Sequence, residues 1–115
     1  FYCSYAELSE LLPKSKLIVH HGGIGTLAQG LKAGIPHIVV PWGLDQFNNS
    51  LCLQEMGVGD EVPYDNITPE VLIEKIKNLL SSTKVIEACN TYKNRLETKE
   101  PVKETCDILE RMVSQ

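Results

Sequence analysis

Seven consecutive residues, His20 to Thr26, carry the side chains and glycines best suited to chemistry in this chain of 115 residues. The segment joins an apolar run to a stretch of helical periodicity, so we place it between a buried strand and the start of a helix. Backbone amides at a helix start lack partners within the helix and bind anions, aided by the helix dipole. We therefore predict a diphosphate-binding site formed by His21, Gly22, Gly23, Gly25 and Thr26.

The residue types in this segment suit a ligand with two linked phosphoryl groups. Its glycines remove side chains where a phosphate would approach the backbone, and the amides of Gly25, Thr26 and Leu27 are expected to be unpaired. The Thr26 hydroxyl and the His21 ring each supply one more donor. His20 is predicted to be structural, because a polar ring at the end of a buried strand needs a partner. The alternative is a glycine-rich turn whose histidines only pack.

A second candidate site is the pair Asp45-Gln46, which follows a predicted strand at the start of a helix. A carboxylate accepts hydrogen bonds and an amide both donates and accepts, so the pair is suited to adjacent sugar hydroxyls. The alternative is an N-cap carboxylate followed by a surface glutamine. Trp42 is also a candidate for the sugar site, where it would stack on a sugar or base; otherwise it covers the strand end.

A different nucleotide site is also compatible with the glycines. Gly23-x-Gly25-x-x-Ala28 fits the dinucleotide fingerprint, with Asp45 as the ribose carboxylate. That carboxylate should end the second strand, whereas Asp45 lies four residues beyond Pro41 and begins a helix. The dinucleotide site is therefore the less favoured alternative.

The order of the predicted elements indicates an α/β fold. Apolar runs predict strands at 17–19, buried on both faces, and at 37–40, and a short third strand is predicted at 59–62. The helices between them are predicted over 25–33 and from Asp45 or Gln46 to Met56. Such alternation is typical of a Rossmann-like three-layer domain with a parallel sheet. Ligands bind at the carboxyl ends of such strands, where both candidate sites lie. Helices beginning near Thr68 and Pro101, with an apolar periodicity over 85–96 between them, are expected to form core and covering layer.

Composition excludes several classes of partner and suggests a compartment. The net charge is −4 and the basic residues are dispersed, so we expect no nucleic-acid partner. No apolar run approaches the roughly 20 residues of a transmembrane helix, and no signal peptide is expected. The cysteines have no metal-ligand spacing, and three fall on apolar faces of predicted helices, which indicates buried free thiols and a cytoplasmic location. These cysteines are Cys3, Cys52, Cys89 and Cys106.

Several motifs in order resemble the donor-binding signature of family 1 glycosyltransferases, the UDP-glycosyltransferase-like enzymes with the GT-B fold. The spelling His-His-Gly-Gly-x-Gly-Thr resembles the bacterial and fungal branch that glycosylates sterols, antibiotics and lipids. The resemblance implies that residues 1–115 are part of the C-terminal nucleotide-sugar-binding domain, with its N-terminal part truncated. The motifs are His21–Thr26, Ala33-Gly34-Ile35-Pro36, Pro41 and Asp45-Gln46.

The resemblance also implies an activity for the full-length protein. It implies an inverting hexosyltransferase that uses a UDP- or dTDP-sugar, without cofactor or metal, on a hydroxyl of a lipid, sterol or natural-product aglycone. The general base would lie in an N-terminal acceptor domain, so we expect no catalytic residue here. Gln29 stands where many relatives bind ribose with Glu. Glu7 stands where Pro is usual in the segment that holds the nucleotide base, which leaves the identity of that nucleotide base open. The alternatives are a stand-alone donor-binding subunit of a two-chain enzyme or a sugar-nucleotide epimerase fragment.

Overall fold

The computed structural model describes residues 2–115 as an α/β domain around a parallel sheet. Its strands, in spatial order, are β1 (Ile18–His20), β2 (His37–Val39) and β3 (Gly59–Glu61). The helices are α1 (Leu8–Leu11), α2 (Ile24–Ala33), α3 (Gln46–Glu55), α4 (Pro69–Ser81), α5 (Thr83–Glu97) and α6 (Pro101–Val113). Single 3-10 turns occupy Leu12–Lys14 and Tyr64–Asn66.

Local sequence signals set the helix ends. Gly34 ends α2 in the left-handed conformation, with φ of 72°, and its N–H bonds the carbonyls of Gly30 and Leu31. The Thr68 hydroxyl accepts the Val71 N–H at 3.2 Å and caps α4, as predicted. Helix α2 begins one residue before the predicted Gly25, at Ile24, so the amides at its start also move by one residue.

Two apolar cores on opposite faces of the sheet confirm the predicted three layers. Val39 faces a core formed with α2, α3 and α5, whereas Ile38 faces a core formed with α4. The two cores are built on Leu27, Val39, Leu53, Val58 and Cys89, and on Ile38, Val62 and Leu79. Helices α2 and α3, which connect the parallel strands, therefore lie on the same face and direct their N-termini toward one edge.

Strand β1 differs from the prediction of a strand buried on both faces. It is an edge strand of the described sheet, and Val19 remains 45% exposed. Helix α4 contacts β3 on that face, and this cover leaves Val19 on β1 partly exposed. A run of three apolar residues predicts a strand, but its neighbours decide whether it is covered.

Helix α6 also differs from the prediction of a covering layer, because all its residues are exposed. Val102, Leu109 and Val113 share the predicted apolar spacing, yet they are 78%, 54% and 86% exposed. The chain is correspondingly elongated, with a radius of gyration of 16.1 Å, against about 13 Å for a compact domain of this length. Helix α6 thus presents an apolar stripe with no partner in residues 2–115.

The cysteines are less buried than the sequence suggested. Only Cys89 lies in a core, where burial raises the pKa of its thiol to about 11. Cys52 and Cys106 were expected on buried faces and are exposed, as is Cys3. Cys106 is exposed because it lies on α6, which has no covering partner.

Gly30 is a position where helix α2 touches the sheet too closely for any side chain. A Cβ there would overlap His37 Cε1 and approach His37 Nε2 to 2.9 Å, and that ring is wholly buried. We expect Gly30→Ala to lower the free energy of unfolding by about 2 kcal/mol, since overpacking costs up to about 3 kcal/mol and helix propensity returns less than 1. Thermal unfolding should show a midpoint lower by about 10 °C. An unchanged midpoint would contradict this packing.

Candidate functional site

Gly22 shapes the loop between β1 and α2. Its φ is +95°, and a Cβ would lie 2.9 Å from Val39 Cγ1 and 3.1 Å from the Gln46 carbonyl oxygen. Its N–H donates to His20 Nδ1 at 3.1 Å, and its carbonyl accepts from Asn49 Nδ2 at 2.9 Å. Both backbone polar groups of Gly22 therefore have partners within the chain, and its contact with the diphosphate stays a prediction.

His21 lies against the start of helix α2. A Cβ at Gly23 would be 2.7 Å from His21 Nε2, so the ring is packed over the Gly23 backbone and Gly23 is needed for that contact. Gly23 is the N-cap residue and supplies no side-chain cap. The His21 side chain is exposed at this helix end. The structure therefore places His21 where the sequence put it, and its phosphate contact stays a prediction.

The first amides of α2 are open. Within residues 2–115 no chain group accepts from the N–H of Ile24, Gly25 or Thr26. The Leu27 amide, predicted to be free, donates to the Gly23 carbonyl at 3.0 Å, because the helix begins at Ile24. A Cβ on Gly25 would meet nothing within 4 Å. The space above Gly25 is thus free for a ligand.

Asp45 and Gln46 lie beside this loop at the start of α3. The Asp45 carboxylate accepts no backbone N–H of the first turn of α3, so it is not a capping carboxylate. Its Oδ2 accepts instead from Asn49 Nδ2 at 3.1 Å, and the same nitrogen bonds the Gly22 carbonyl. Gln46 Oε1 accepts the Trp42 N–H at 2.8 Å, which leaves its NH₂ group as the free donor. Asn49 therefore joins the two predicted subsites.

The loop before Asp45 is exposed and strained. Trp42 is 70% exposed and stacks on Tyr64 with ring centroids 4.7 Å apart, so it forms part of an aromatic surface rather than a cover for the strand end. Leu44 has φ of 56°, a conformation that costs a non-glycine residue about 1 kcal/mol, and is 94% exposed. Backbone strain of this kind is concentrated at ligand sites.

Gln29 lies one turn beyond Thr26 and borders a cavity of about 610 Å³. Glu7 and Leu8 also line this cavity. Gln29 Oε1 is buried and has no partner in residues 2–115. A buried acceptor without a donor costs about 1–3 kcal/mol, and a ligand hydroxyl would remove that cost.

Sequence reasoning missed two residues that hold this site together. His37, at the start of the apolar β2, is wholly buried and lies 2.9 Å from His20. Burial lowers the pKa of His37 to about 3 and that of His20 to about 4, so both rings are neutral at physiological pH. A polar ring inside an apolar strand was the signal for His37. Asn49, four residues after Asp45, was detectable from helical spacing.

Two kinds of feature are absent from the part of the chain that the structure describes. Within residues 2–115 there is no cluster of His, Cys, Asp or Glu with the arrangement of a metal site. The helices of the same range include none with the length and apolar character needed to cross a bilayer.

Strand β2 ends at Val39 and Asp45 precedes α3, which disfavours the dinucleotide arrangement, since its carboxylate would end the strand.

The chain is similar to known glycosyltransferases along nearly its whole length. It is 34% identical over 103 residues to UDP-sugar-dependent glycosyltransferase 52 of Dictyostelium discoideum, covering 90% of this chain and 6% of that protein. It is 30% identical over 111 residues to aklavinone 7-beta-L-rhodosaminyltransferase of Streptomyces galilaeus, covering 96% of this chain and 25% of that protein. The chain thus spans a quarter or less of these relatives.

A solved structure and a family model agree with these relatives. The crystal structure of glycosyltransferase VinC in complex with dTDP superposes with a TM-score of 0.86 at 26% identity, covering 95% of this chain and 28% of that one. Residues 3–112 match the family model described as erythromycin biosynthesis protein CIII-like, C-terminal domain. The chain therefore belongs to the erythromycin biosynthesis protein CIII-like C-terminal domains of the family 1 GT-B glycosyltransferases.

Proposed function

We propose that this chain holds the nucleotide-sugar donor, a UDP- or dTDP-sugar, of an inverting glycosyltransferase. The observation that carries the proposal is the open start of α2 beside His21, linked to Asp45 through Asn49. This arrangement supports a phosphate site and a hydroxyl-binding pair side by side at one edge of the sheet. The dTDP bound by the structurally similar VinC supports the same class of ligand.

The diphosphate is proposed to bind at the start of α2. The hydrogen-bond donors for the phosphate oxygens would be the free amides of Gly25 and Thr26, the Thr26 hydroxyl and the His21 ring. The partial positive charge at the start of the helix complements the negative charge of the diphosphate. Because these donors already provide positive potential, the proposal includes no metal ion or other cofactor. Gly22 and Gly23 contribute by shaping the loop and by admitting the His21 ring.

The sugar and the ribose are proposed to lie on either side of the diphosphate. Asp45 and the free NH₂ group of Gln46 would accept from and donate to the sugar hydroxyls, and the exposed Trp42 would cover one sugar face. Gln29, with its unpartnered buried oxygen, would accept from a ribose hydroxyl. UDP offers a 2′-hydroxyl that dTDP lacks, so Gln29 is expected to favour UDP.

The whole enzyme is proposed to need a second domain. We propose that an N-terminal domain of the same protein contains the general base and binds the acceptor. The acceptor would be a lipid, a sterol or a natural-product aglycone, and one of its hydroxyls would receive a hexose. The apolar stripe of α6 and the exposed Val19 are surfaces suited to contact with such a domain. We assign no residue of this chain to catalysis. The proposed compartment is the cytoplasm, consistent with four free cysteines.

Asp45→Asn tests the division between the sugar and the phosphate subsites. We expect this variant to bind dTDP-glucose and UDP-glucose about tenfold more weakly, because a hydrogen bond to a charged group contributes about 1.5–3 kcal/mol. Its affinity for dTDP and UDP should stay within about twofold, since Asn retains the size of the side chain. Calorimetric titration measures both, with Glu55→Gln, an exposed acid on the same helix, as the control. An equal loss for both ligand classes would contradict the assignment of Asp45.

A further inference from the structure

A chain of hydrogen bonds runs from the interior of the sheet to the Gly22 loop. His37 pairs with Ile18, and His20 pairs with Val39, so the two histidines lie diagonally on one face of the sheet. His20 Nε2 is 2.9 Å from His37 Nδ1, and the rings are 5.1 Å apart at 65°. This face carries α2, α3 and α5, and Gly30 of α2 is close against the His37 ring.

The bonding pattern fixes the position of each proton. The Gly22 N–H donates to His20 Nδ1, so that nitrogen carries a lone pair and the His20 proton resides on Nε2. His20 Nε2–H then donates to His37 Nδ1, which leaves the His37 proton on Nε2. His37 Nε2 is buried without a partner in residues 2–115. Each ring is therefore neutral and held in one tautomer.

Both backbone polar groups of Gly22 are held by hydrogen bonds. Its N–H is bound by His20, and its carbonyl by Asn49 Nδ2 at 2.9 Å. Asn49 bonds Asp45 Oδ2 at 3.1 Å with the same nitrogen. Two elements distant in sequence, β2 through His37 and α3 through Asn49, thus fix the peptide groups on either side of the Gly22 Cα, where φ is +95°.

We propose that His20, His37 and Asn49 are positioning residues of the donor site. Resting on the proposed function, this inference adds that they hold the Gly22 peptide so that His21 and the amides of α2 face the diphosphate. Asn49 in addition keeps Asp45 in register with them. His37 buries an Nε2–H group without a partner, a cost that an apolar side chain at this position would avoid. An apolar side chain would, however, lack the Nδ1 acceptor that fixes the His20 ring, and this supports a positioning role for His37.

The experiment compares variants that break the hydrogen-bond chain with variants that preserve it. His37→Leu removes the acceptor for His20, whereas His37→Gln retains one. Asn49→Leu removes both bonds at α3, and Asn48→Leu alters an exposed neighbour that does not contact the loop. Calorimetric titrations with dTDP and with thymidine, well below the unfolding midpoint of each variant, separate ligand positioning from loss of fold. Nitrogen NMR shifts of His20 report its tautomer.

We expect His37→Leu and Asn49→Leu each to weaken dTDP binding about tenfold, equal to about 1.4 kcal/mol, with thymidine binding unchanged. Asn49→Leu should lose more for dTDP-glucose than for dTDP, because Asp45 is released. His37→Gln and Asn48→Leu should stay within about twofold, and the His20 tautomer should be lost only in His37→Leu. If both leucine variants are folded and bind dTDP like the wild type, the inference is overturned. If the wild type binds no nucleotide, the proposed function is overturned as well.

Discussion

Gly25→Val is expected to weaken dTDP binding by up to about 100-fold while leaving the domain folded. A Cβ at Gly25 meets no atom of the chain within 4 Å, so the fold does not require glycine there. The added methyl groups would instead occupy the space where a phosphate meets the amides of Gly25 and Thr26. Overpacking costs about 1–3 kcal/mol, which corresponds to a loss in affinity from about fivefold to about 100-fold. Calorimetric titration with dTDP measures the loss.

Gly25→Ala separates the two roles that a glycine can have at a helix start. Alanine is a better helix former by about 0.5–1 kcal/mol, so this variant should unfold at the same temperature or higher and yet bind dTDP about tenfold more weakly. Lys84→Val, which places a valine at the exposed second residue of α5, the position that Gly25 has in α2, serves as the control for a β-branched residue at a helix start. Wild-type affinity in both Gly25 variants would show that the ligand does not approach this helix end.

Acidification is expected to destabilise the domain between about pH 7 and pH 5. His20 and His37 have pKa values of about 4 and about 3, lowered from the ordinary 6.5, with burial as the largest cause in both and the neighbouring His21 and His20 contributing. The unfolded chain therefore takes up protons on these rings below about pH 6.5, whereas the folded chain does not. Their stabilising contribution is full above pH 6.5 and is lost as the pH falls toward the folded pKa values.

The expected loss is on the order of 2 kcal/mol for each ring by about pH 5. Urea unfolding at a series of pH values measures it as a fall in the free energy of unfolding. His37→Gln removes one of the two rings, so the slope against pH should be about halved in that variant. A wild-type free energy that does not change over this range would contradict neutral, buried histidines at this place.

The arrangement of helices and strands was predictable because its signals are local. Gly34 predicted the end of α2, and it adopts the left-handed conformation there. Thr68 predicted the start of α4, and its hydroxyl caps that helix. The loop from His20 to Thr26 was likewise placed by its glycines between a strand and a helix. Chain order then dictated that both candidate sites meet at one sheet edge.

The features that sequence did not reveal depend on contacts between distant elements. Whether Val19 and α6 are covered depends on neighbours that periodicity does not identify. The separate roles of Gly22, Gly23 and Gly25 also required coordinates, because only the third faces open space while the first two meet Val39 and the His21 ring. The link from Asn49 to Gly22 spans 27 residues and has no local signature.

Backbone amide NMR of the isotope-labelled chain during a titration with dTDP tests the central claim most directly. That claim is that a diphosphate binds the free amides at the start of α2. We predict that the amide signals of Ile24, Gly25 and Thr26 shift most, together with the ring signals of His21. If millimolar dTDP leaves these signals in place, or shifts signals elsewhere while these remain unchanged, the donor site is not at this helix end.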